Sequence, residues 1–261
     1  MLLLVKNIRN NFQAFKVLVG INIKITMLST RLGWVWWILD PLIMMGIYYF
    51  LIKGIFNRGG DNYHVFVLSG IVSWQFFTRA LTGTTNVIIR NKQIIRQIAF
   101  PLPVLIAIPI VTNFFFAIIG MFIIMLFCYS VISVLTIGIF PLLFMIALLS
   151  YGIGLFVSVL NVFIGDTRQL LSYVLRAGFF MTPILYPASR LLESENISGT
   201  IKMILQLNPM MWIISAVRTV LIDGGMYDWQ EYSLRLLVIL LIIQAGLLWL
   251  RKNSSKIIKM L

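Results

Sequence analysis

Charged side chains inside long apolar stretches are the feature of this sequence that points to chemistry. Asp40, Arg79 and Arg176 each lie within a run of roughly 18 or more mostly apolar residues, a length typical of membrane-crossing helices. An acid in such a run is usually paired, and Arg31, Arg79 and Arg176 are the possible partners of Asp40. An arginine in such a run indicates a functional site, although Arg79, near the end of its run, can also extend to the interface.

Covalent catalysis is poorly supported by the other reactive residues. His64 is the only histidine and Cys128 the only cysteine, so the sequence offers no zinc-type ligand cluster and no intramolecular disulfide. A membrane enzyme would need acids or a histidine at one membrane surface. Asp40 and Asp166 are the only acids predicted on the inner side, whereas His64 is predicted outside. We therefore expect no catalytic residues and no metal site.

The composition indicates which elements position these residues. Hydrophobic residues make up 60% of the 261 residues and charged residues 11%, whereas a soluble domain is about half apolar and a quarter charged. The apolar runs are continuous, which favours helices over a barrel. The sequence predicts an all-α membrane protein with one domain over residues 1–261. Six transmembrane helices are predicted, over Trp34–Ile52, Tyr63–Leu81, Leu102–Ser130, Pro141–Ile164, Leu170–Pro187 and Ser233–Leu250.

The distribution of charge predicts the orientation. Most of the lysines and arginines lie on one side of the membrane if both termini are cytoplasmic, and most of the acids then lie outside. The positive-inside rule therefore predicts a multi-pass protein with both termini in the cytoplasm. The net charge of +13 follows from this topology and does not indicate nucleic-acid binding, because no soluble basic domain is present.

Three segments between or before the predicted spans have distinct patterns. Residues 1–31 are predicted to contain an amphipathic interface helix. Residues 86–97 predict a second amphipathic helix, with isoleucines on one face and basic residues opposite, between the second and third spans. Its periodicity is compatible with a helix resting on anionic lipid or with a lever docked in a groove of a cytoplasmic partner. Residues 188–231 are predicted to form an outer segment with a re-entrant or gate helix, since its apolar part is too short to span.

Six short motifs follow one another along the chain: LGWVWWILDPL (32–42), GIVSWQFF (70–77), NKQIIRQIAFP (91–101), DTRQLL (166–171), MTPILYP (181–187) and LNPMMWIISAVRTVL (207–221). In their order and spacing they resemble the membrane subunits of type-2 ATP-binding-cassette exporters of polysaccharides. That family includes O-antigen, capsule and teichoic-acid permeases. One departure is Asp40, where the family more often has a neutral polar residue before Pro41.

The resemblance implies a permease subunit rather than an enzyme. Residues 86–97 would be a coupling helix that fits a cleft in a separate ATPase subunit. The candidate coupling residues are Arg90, Asn91, Lys92, Ile94, Ile95, Arg96 and Asp166, the last of which is equally compatible with a simple helix N-cap. The sequence has no G-x-x-x-x-G-K-[ST] loop, so ATP and Mg²⁺ are expected on the partner and no cofactor in this chain. The implied assembly contains two copies of this chain and two ATPase subunits, in a bacterial inner membrane.

The substrate implied by the resemblance is a lipid-linked polysaccharide that moves from the cytoplasm to the outer face. Arg176 is the candidate for receiving its diphosphate through charge-assisted hydrogen bonds. Aromatic rings are further candidates because sugars stack on them, with ordinary packing as the alternative. The predicted substrate path consists of Arg79, Arg176, Tyr48, Tyr49, Trp74, Phe77, Phe179, Phe180 and Tyr186. Trp34, Trp36 and Trp37 are typical of an aromatic belt at the cytoplasmic interface.

Two other functions stay open at this stage. The same fold is compatible with a permease for a small drug or lipid. A membrane-embedded glycan-modifying enzyme is a further alternative, although the scarcity of inner-side acids argues against it. Co-purification with an ATPase separates a transporter from an enzyme.

Overall fold

The structure, a computed structural model, describes residues 11–28, 31–60, 62–98, 100–127, 134–193 and 198–261. All regular elements in these ranges are helices, which confirms the predicted all-α membrane fold. The α-helices are α1 (Phe12–Leu28), α2 (Trp36–Tyr49), α3 (Tyr63–Thr85), α4 (Val87–Arg90), α5 (Lys92–Ile98), α6 (Leu102–Phe127), α7 (Ile139–Phe163), α8 (Thr167–Met181), α9 (Ala188–Leu192), α10 (Gly199–Gln206), α11 (Pro209–Leu221) and α12 (Trp229–Met260).

Five helical stretches in the described part of the chain are long and apolar enough to cross a membrane. They are Trp36–Ile55, Tyr63–Thr85, Leu102–Met125, Thr136–Phe163 and Trp229–Met260. Each overlaps a predicted span, with ends that differ by up to ten residues. The first continues α2 through a π-helical turn over Phe50–Ile55. The end of the third predicted span, including Cys128, lies outside the described residues.

The fifth predicted span, Leu170–Pro187, has a different form. Its helix, α8, has 15 residues and is about 22 Å long, which is short of the ~30 Å hydrocarbon core. Arg168 near its start lines a cavity with Asn86, which follows the end of α3. Beyond its end, Tyr63 at the start of α3 donates a hydrogen bond to the carbonyl of Leu185. Helix α8 and the segment that follows it therefore run antiparallel to α3 over the length of α3. Since α8 alone is too short to cross, the sixth crossing stays a prediction.

Helix α3 is the centre of the bundle. It packs against α2, α6 and α7, and most of its side chains are buried. A Cβ atom added at Gly154 of α7 would lie 2.9 Å from Oγ1 of Thr84, and one at Gly246 of α12 would lie 2.9 Å from Cβ of Leu155. Because small residues let helix backbones approach closely in membranes, these positions set the packing of α7 against α3 and α12. We call the end of the bundle with residues 86–98 the proximal end and the end with Tyr63 the distal end.

A helix, α1, lies within the segment where the interface helix is predicted, while residues 1–10 and 29–30 lie outside the described residues. Its location at a membrane interface stays a prediction. Phe15 and Val19 pack on the core, and no side chain of α1 is fully buried. Asn22 donates a hydrogen bond of 3.1 Å to Oγ1 of Thr112 on α6. Helix α1 therefore lies along the outside of the bundle, attached to α6.

The predicted outer segment contains α9, α10 and α11. Helix α11 has 13 residues, nine of them buried, and packs against α7 and α3. Its Asn208 accepts a hydrogen bond of 3.0 Å from the backbone N–H of Met210, and Pro209 occupies the first helical turn. At about 20 Å the helix is too short to span, so its burial in the bundle fits the predicted re-entrant position.

Candidate functional site

The basic segment at the proximal end is two short helices rather than the single predicted one. Asn91 separates α4 from α5, with φ −106° and ψ 23°. Its side-chain amide donates a hydrogen bond of 2.7 Å to the carbonyl of Val87. Such a local side-chain bond competes with the helical backbone bonds, and the segment therefore turns at this residue.

Most described apolar side chains of this segment face the chain's own bundle, whereas Ile89 is exposed. Ile88 and Ile95 are buried in the core, and Ile94 is half-buried beside a cavity. The exposed side chains include Arg90, Lys92 and Arg96. This chain thus buries Ile95 and covers Ile94 in part. Their insertion into a partner's groove stays a prediction. The charged side chains that this segment exposes are basic.

Asp166 precedes α8 at the position of an N-cap, as one of its two interpretations predicts. Its side chain makes no capping hydrogen bond and is exposed. Instead, the hydroxyl of Thr167 donates a hydrogen bond of 2.7 Å to the carbonyl of Ile164. The carboxylate is thus accessible at the surface, which leaves the predicted contact with a partner open.

A cavity of about 960 Å³ lies at the proximal end, lined by residues of α1 to α6 and by the start of α8. Three arginines line it: Arg79, Arg90 and Arg168. The described lining includes no aspartate or glutamate, and its other polar groups are the side chains of Asn22, Thr26, Thr82, Asn86, Asn91, Thr112 and Asn113. A cavity with cationic and amide donors and no acid is suited to an anion.

Arg79 has the partner that the sequence left open, because its guanidinium forms an ion pair with Asp40 of α2. The guanidinium also lies over the ring of Trp37, 4.0 Å from the centroid. On its other face, Trp37 stacks on Phe116 of α6 with a centroid distance of 3.9 Å. Trp37 therefore holds the ion pair in place as a cation–π partner, whereas the sequence indicated only an interface anchor.

Arg90, unlike Arg79, contacts a neutral amide rather than a carboxylate. Its guanidinium donates a hydrogen bond of 3.3 Å to Oδ1 of Asn22, whose amide in turn bonds Thr112. The segment 86–98 is thus connected to α1 and α6 by polar contacts. Among the described residues neither Arg90 nor Arg168 has a carboxylate within ion-pair distance, so both retain unneutralised positive charge at the cavity.

The structure brings most of the predicted aromatic path together around Phe179. Its ring centroid lies 5.7 Å from that of Tyr48 and 6.4 Å from that of Trp74, and Phe180 and Phe77 extend the cluster. A Cβ at Gly178 would lie 2.9 Å from Trp74. Trp74 and Phe77 are buried, whereas Phe180 is exposed. Tight packing accounts for the buried rings, so Phe180 is the ring of this cluster best placed to meet a substrate.

In the described part of the chain, no ring of the remaining members of the predicted path contacts a ring of that cluster. Tyr49 is near Tyr63 at the distal end, with ring centroids 6.3 Å apart. Tyr186 donates a hydrogen bond of 2.7 Å to the carbonyl of Phe180. Arg176 is exposed on α8, and its guanidinium lies 5.6 Å from the ring of Tyr173 on the same helix. The single chain therefore does not bring Arg176 and Arg79 into one site.

A buried arginine at the distal end was not among the predicted site residues. Arg218 of α11 donates hydrogen bonds of 2.7 Å to the carbonyls of Pro183 and Ile184, and one of 3.2 Å to the carbonyl of Phe66. Its guanidinium also lies 3.5 Å from the centroid of the Phe66 ring. Asn208 adds a bond of 2.9 Å to the hydroxyl of Thr182. The backbone carbonyls of the segment after α8 therefore accept hydrogen bonds from side chains, those of Pro183 and Ile184 from Arg218 and that of Leu185 from Tyr63.

A glycine of α3 makes room for the guanidinium of Arg218. A Cβ at Gly70 of α3 would lie 2.8 Å from its Nη2, so only glycine leaves room there. Arginine keeps its proton in proteins, so Arg218 is a buried cation with no carboxylate within ion-pair distance among the described residues. The one signal in the sequence was an arginine within an apolar 15-residue stretch (208–222).

No metal centre accompanies these features in the parts of the chain that the structure describes, where no three His, Cys, Asp or Glu side chains form a group. The described arrangement offers a basic surface, an arginine-lined cavity and an aromatic cluster. These features are suited to binding and moving an anionic, sugar-containing molecule rather than to covalent catalysis.

Comparison with known proteins agrees with this chemistry. The family described as ABC-2 type transporter matches residues 13–222. An O-antigen export system permease protein RfbA of Klebsiella pneumoniae is 28% identical over 217 residues, covering 82% of each chain. A second Klebsiella pneumoniae protein of that name is 27% identical over 224 residues, with the same coverage. A Myxococcus xanthus protein, also named O-antigen export system permease protein RfbA, is 24% identical over 221 residues, 84% of this chain and 82% of its own length.

Proposed function

Because this chain belongs to the ABC-2 type transporter family, we propose that it is the transmembrane subunit of an exporter that moves lipid-linked O-antigen across the membrane. The observation that carries this proposal is the similarity to O-antigen export permeases over about four-fifths of both chains. The arginine-lined proximal cavity and the aromatic cluster supply the matching chemistry. A permease contributes different contacts in two conformational states and performs no covalent step.

The energy source in this proposal is a separate ATP-binding-cassette ATPase. The exposed Arg90, Lys92 and Arg96, together with the accessible carboxylate of Asp166, form the surface that would contact it. Movement of α4 and α5 would reach the bundle directly, since Ile88 and Ile95 are anchored in the core. The orientation that follows has the proximal end and both termini in the cytoplasm and the chain in a bacterial inner membrane.

Two copies of the chain, with two ATPase subunits, complete the proposed assembly. The argument rests on Arg176, which is exposed on α8 and has no carboxylate within ion-pair distance among the described residues. An arginine facing lipid within a crossing is costly. A second copy facing α8 would enclose a path in which Arg176 and the exposed ring of Phe180 meet the substrate rather than lipid.

The proximal cavity is the entry site in this account. Arg79 is neutralised by Asp40, so Arg90 and Arg168 are the cations available to a ligand. The phosphate groups that join lipid and glycan are the anionic part of the substrate. Arg90 lines this cavity and also belongs to the segment 86–98, which is the proposed ATPase contact. A ligand bound to Arg90 would therefore change the charge or position of the surface that the ATPase contacts.

Deletion of the gene tests the function. We expect surface O-antigen to disappear and lipid-linked glycan to accumulate on the inner leaflet, with both effects reversed by the intact gene. A permease for a small drug or lipid would instead leave the glycan distribution unchanged and alter resistance or lipid asymmetry. Unchanged surface glycan in the deletion strain would contradict the proposal.

Replacing Arg176 with glutamine is expected to reduce surface O-antigen in the complemented strain by about a hundredfold, because charge-assisted hydrogen bonds to phosphate are lost. The amount of assembled complex in the membrane should stay unchanged. Arg176→Lys should retain part of the export. Arg251→Gln, which removes an exposed arginine of α12, is the matched control, and export by Arg176→Gln equal to that of the control would contradict the assignment.

A further inference from the structure

A second cavity, of about 560 Å³, lies at the distal end, at the opposite end of α3 from the entry cavity. Its walls are the loop after α2, the first turn of α3 and the segment after α8, which contribute Phe56, Tyr63 and Tyr186 among others. Nothing in the proposed function uses this cavity, and none of the predicted site residues except Tyr186 lines it.

The charge of this distal cavity is of one sign in its described part. Arg58 and Arg190 line it, and no aspartate or glutamate of the described residues does. Neither arginine has a described carboxylate within ion-pair distance. Behind its wall, the guanidinium of Arg218 lies 3.5 Å from the Phe66 ring centroid, and Phe66 is itself a lining residue. Three cations therefore produce a positive potential in one small space.

The rings of the cavity are fixed in place with their polar atoms already bonded. The hydroxyl of Tyr63 donates 2.8 Å to the carbonyl of Leu185, and that of Tyr186 donates 2.7 Å to the carbonyl of Phe180. Tyr63 and Phe66 stack with ring centroids 6.0 Å apart. Since their hydroxyl donors are used inside the chain, what these side chains offer a ligand is the ring surface, on which the C–H faces of a sugar stack.

The loop that covers the cavity is shaped by its backbone. Asn57 and Asn62 have φ of 50° and 57°, and Gly59 has φ of 112°. A Cβ at Gly59 would lie 3.0 Å from Cγ of Tyr63, so the loop backbone lies flat against this ring. Positive φ is tolerated best by glycine and by asparagine, so the sequence of the loop fits the closed turn that brings Arg58 to the cavity.

We propose that the distal cavity is an exit-side site for a phosphate group next to a sugar ring, with Arg58 and Arg190 binding the phosphate and the rings of Phe56 and Tyr186 contacting the sugar. The inference rests on the proposed function for its substrate, the lipid-linked glycan. A glycan arriving at the outer surface would be held by its anionic linkage before release into the leaflet. The head group of an anionic phospholipid shares this chemistry and is the competing source of the phosphate.

The test is equilibrium binding of a radiolabelled polyprenyl-diphosphate sugar to the full-length chain, assembled with its ATPase, in phosphatidylcholine nanodiscs. The double variant Arg58→Gln/Arg190→Gln is expected to raise the Kd about tenfold or more, because two charge-assisted contacts are lost. Arg58→Lys/Arg190→Lys should bind more tightly than the glutamine variant. Lys202→Gln, a basic residue of the same outer segment that lines neither cavity, should bind as the unchanged protein does.

Arg168→Gln is present in all arms to weaken binding at the entry cavity, and Arg90 is kept because it belongs to the proposed ATPase-contact surface. Competition by phosphatidylglycerol as strong as that by the unlabelled diphosphate sugar would assign the cavity to phospholipid and overturn the glycan assignment. Binding that is unchanged in Arg58→Gln/Arg190→Gln would overturn the site itself. The assay measures binding and not transport. Unchanged binding in the glutamine variant would therefore overturn the distal site without contradicting the proposed function. Normal surface glycan in the deletion strain would contradict the proposed function even if the distal cavity binds the probe.

Discussion

Arg218→Met is expected to lower the free energy of unfolding by about 3 kcal/mol or more, the largest effect on stability of any substitution considered. The arginine donates to the carbonyls of Phe66, Pro183 and Ile184. Each buried carbonyl left without a donor costs about 1–3 kcal/mol, and the methionine offers none. Release of the buried charge offsets part of this cost. The measurement is unfolding in mixed detergent micelles, followed by circular dichroism.

The matched control is Arg235→Met. Arg235 also lies near an aromatic ring, Trp212, but its ion pair with Glu231 is on one helix face and partly exposed. Such pairs contribute about 0–1 kcal/mol, so the control should lose little. Arg218→Lys should fall between the two, since an ammonium group donates three hydrogen bonds but lacks the planar fork. Equal stability of Arg218→Met and Arg235→Met would contradict the assigned role of Arg218.

Asp40→Asn is expected to lower the free energy of unfolding by about 2 kcal/mol, because it leaves the Arg79 guanidinium without its carboxylate at membrane depth. The cation–π contact with Trp37 persists in this variant and retains part of the stabilisation. Arg79→Gln should cost a similar amount, since Asp40 is then the unpaired charge. The same unfolding assay measures both variants.

The double variant Asp40→Asn/Arg79→Gln distinguishes an ion pair from two independent contacts. A real pair predicts that the double variant loses clearly less than the sum of the single variants, by about 1 kcal/mol or more. It also predicts that Arg79 is not a direct substrate ligand, so export should recover together with stability. Additive losses, or export abolished in a stable double variant, would contradict the structural role of this pair.

Much of the helical framework was predictable because hydropathy depends on local sequence. Runs such as 102–125 and 233–250 are long and apolar enough to be assigned to crossings without any tertiary information. The Asn208-Pro209 start of α11 has the residue types of a helix start, and Asn208 accepts a hydrogen bond from the backbone N–H of Met210. The location of the basic segment between two spans follows from the same local patterns.

The parts that sequence did not predict depend on distant contacts. The partners of Arg218 are backbone carbonyls 34, 35 and 152 positions away, which leave no mark on residue types. The partner of Asp40 was one of three arginines until helix packing selected Arg79. The periodicity of 86–97 assumed one helix, whereas Asn91 ends α4 and Ile95 turns into the core.

The central claim is that the exposed basic surface of the segment 86–98 receives force from a separate ATPase, and the most direct test is ATP-driven glycan export by vesicles containing both subunits. The variant Lys92→Glu/Arg96→Glu reverses two exposed charges, and Lys256→Glu/Lys259→Glu does the same on the end of α12. We predict that the first variant loses ATPase binding and about tenfold or more of export at unchanged stability, while the second exports normally. Full export by Lys92→Glu/Arg96→Glu, or export by this chain without any ATPase, would contradict the account.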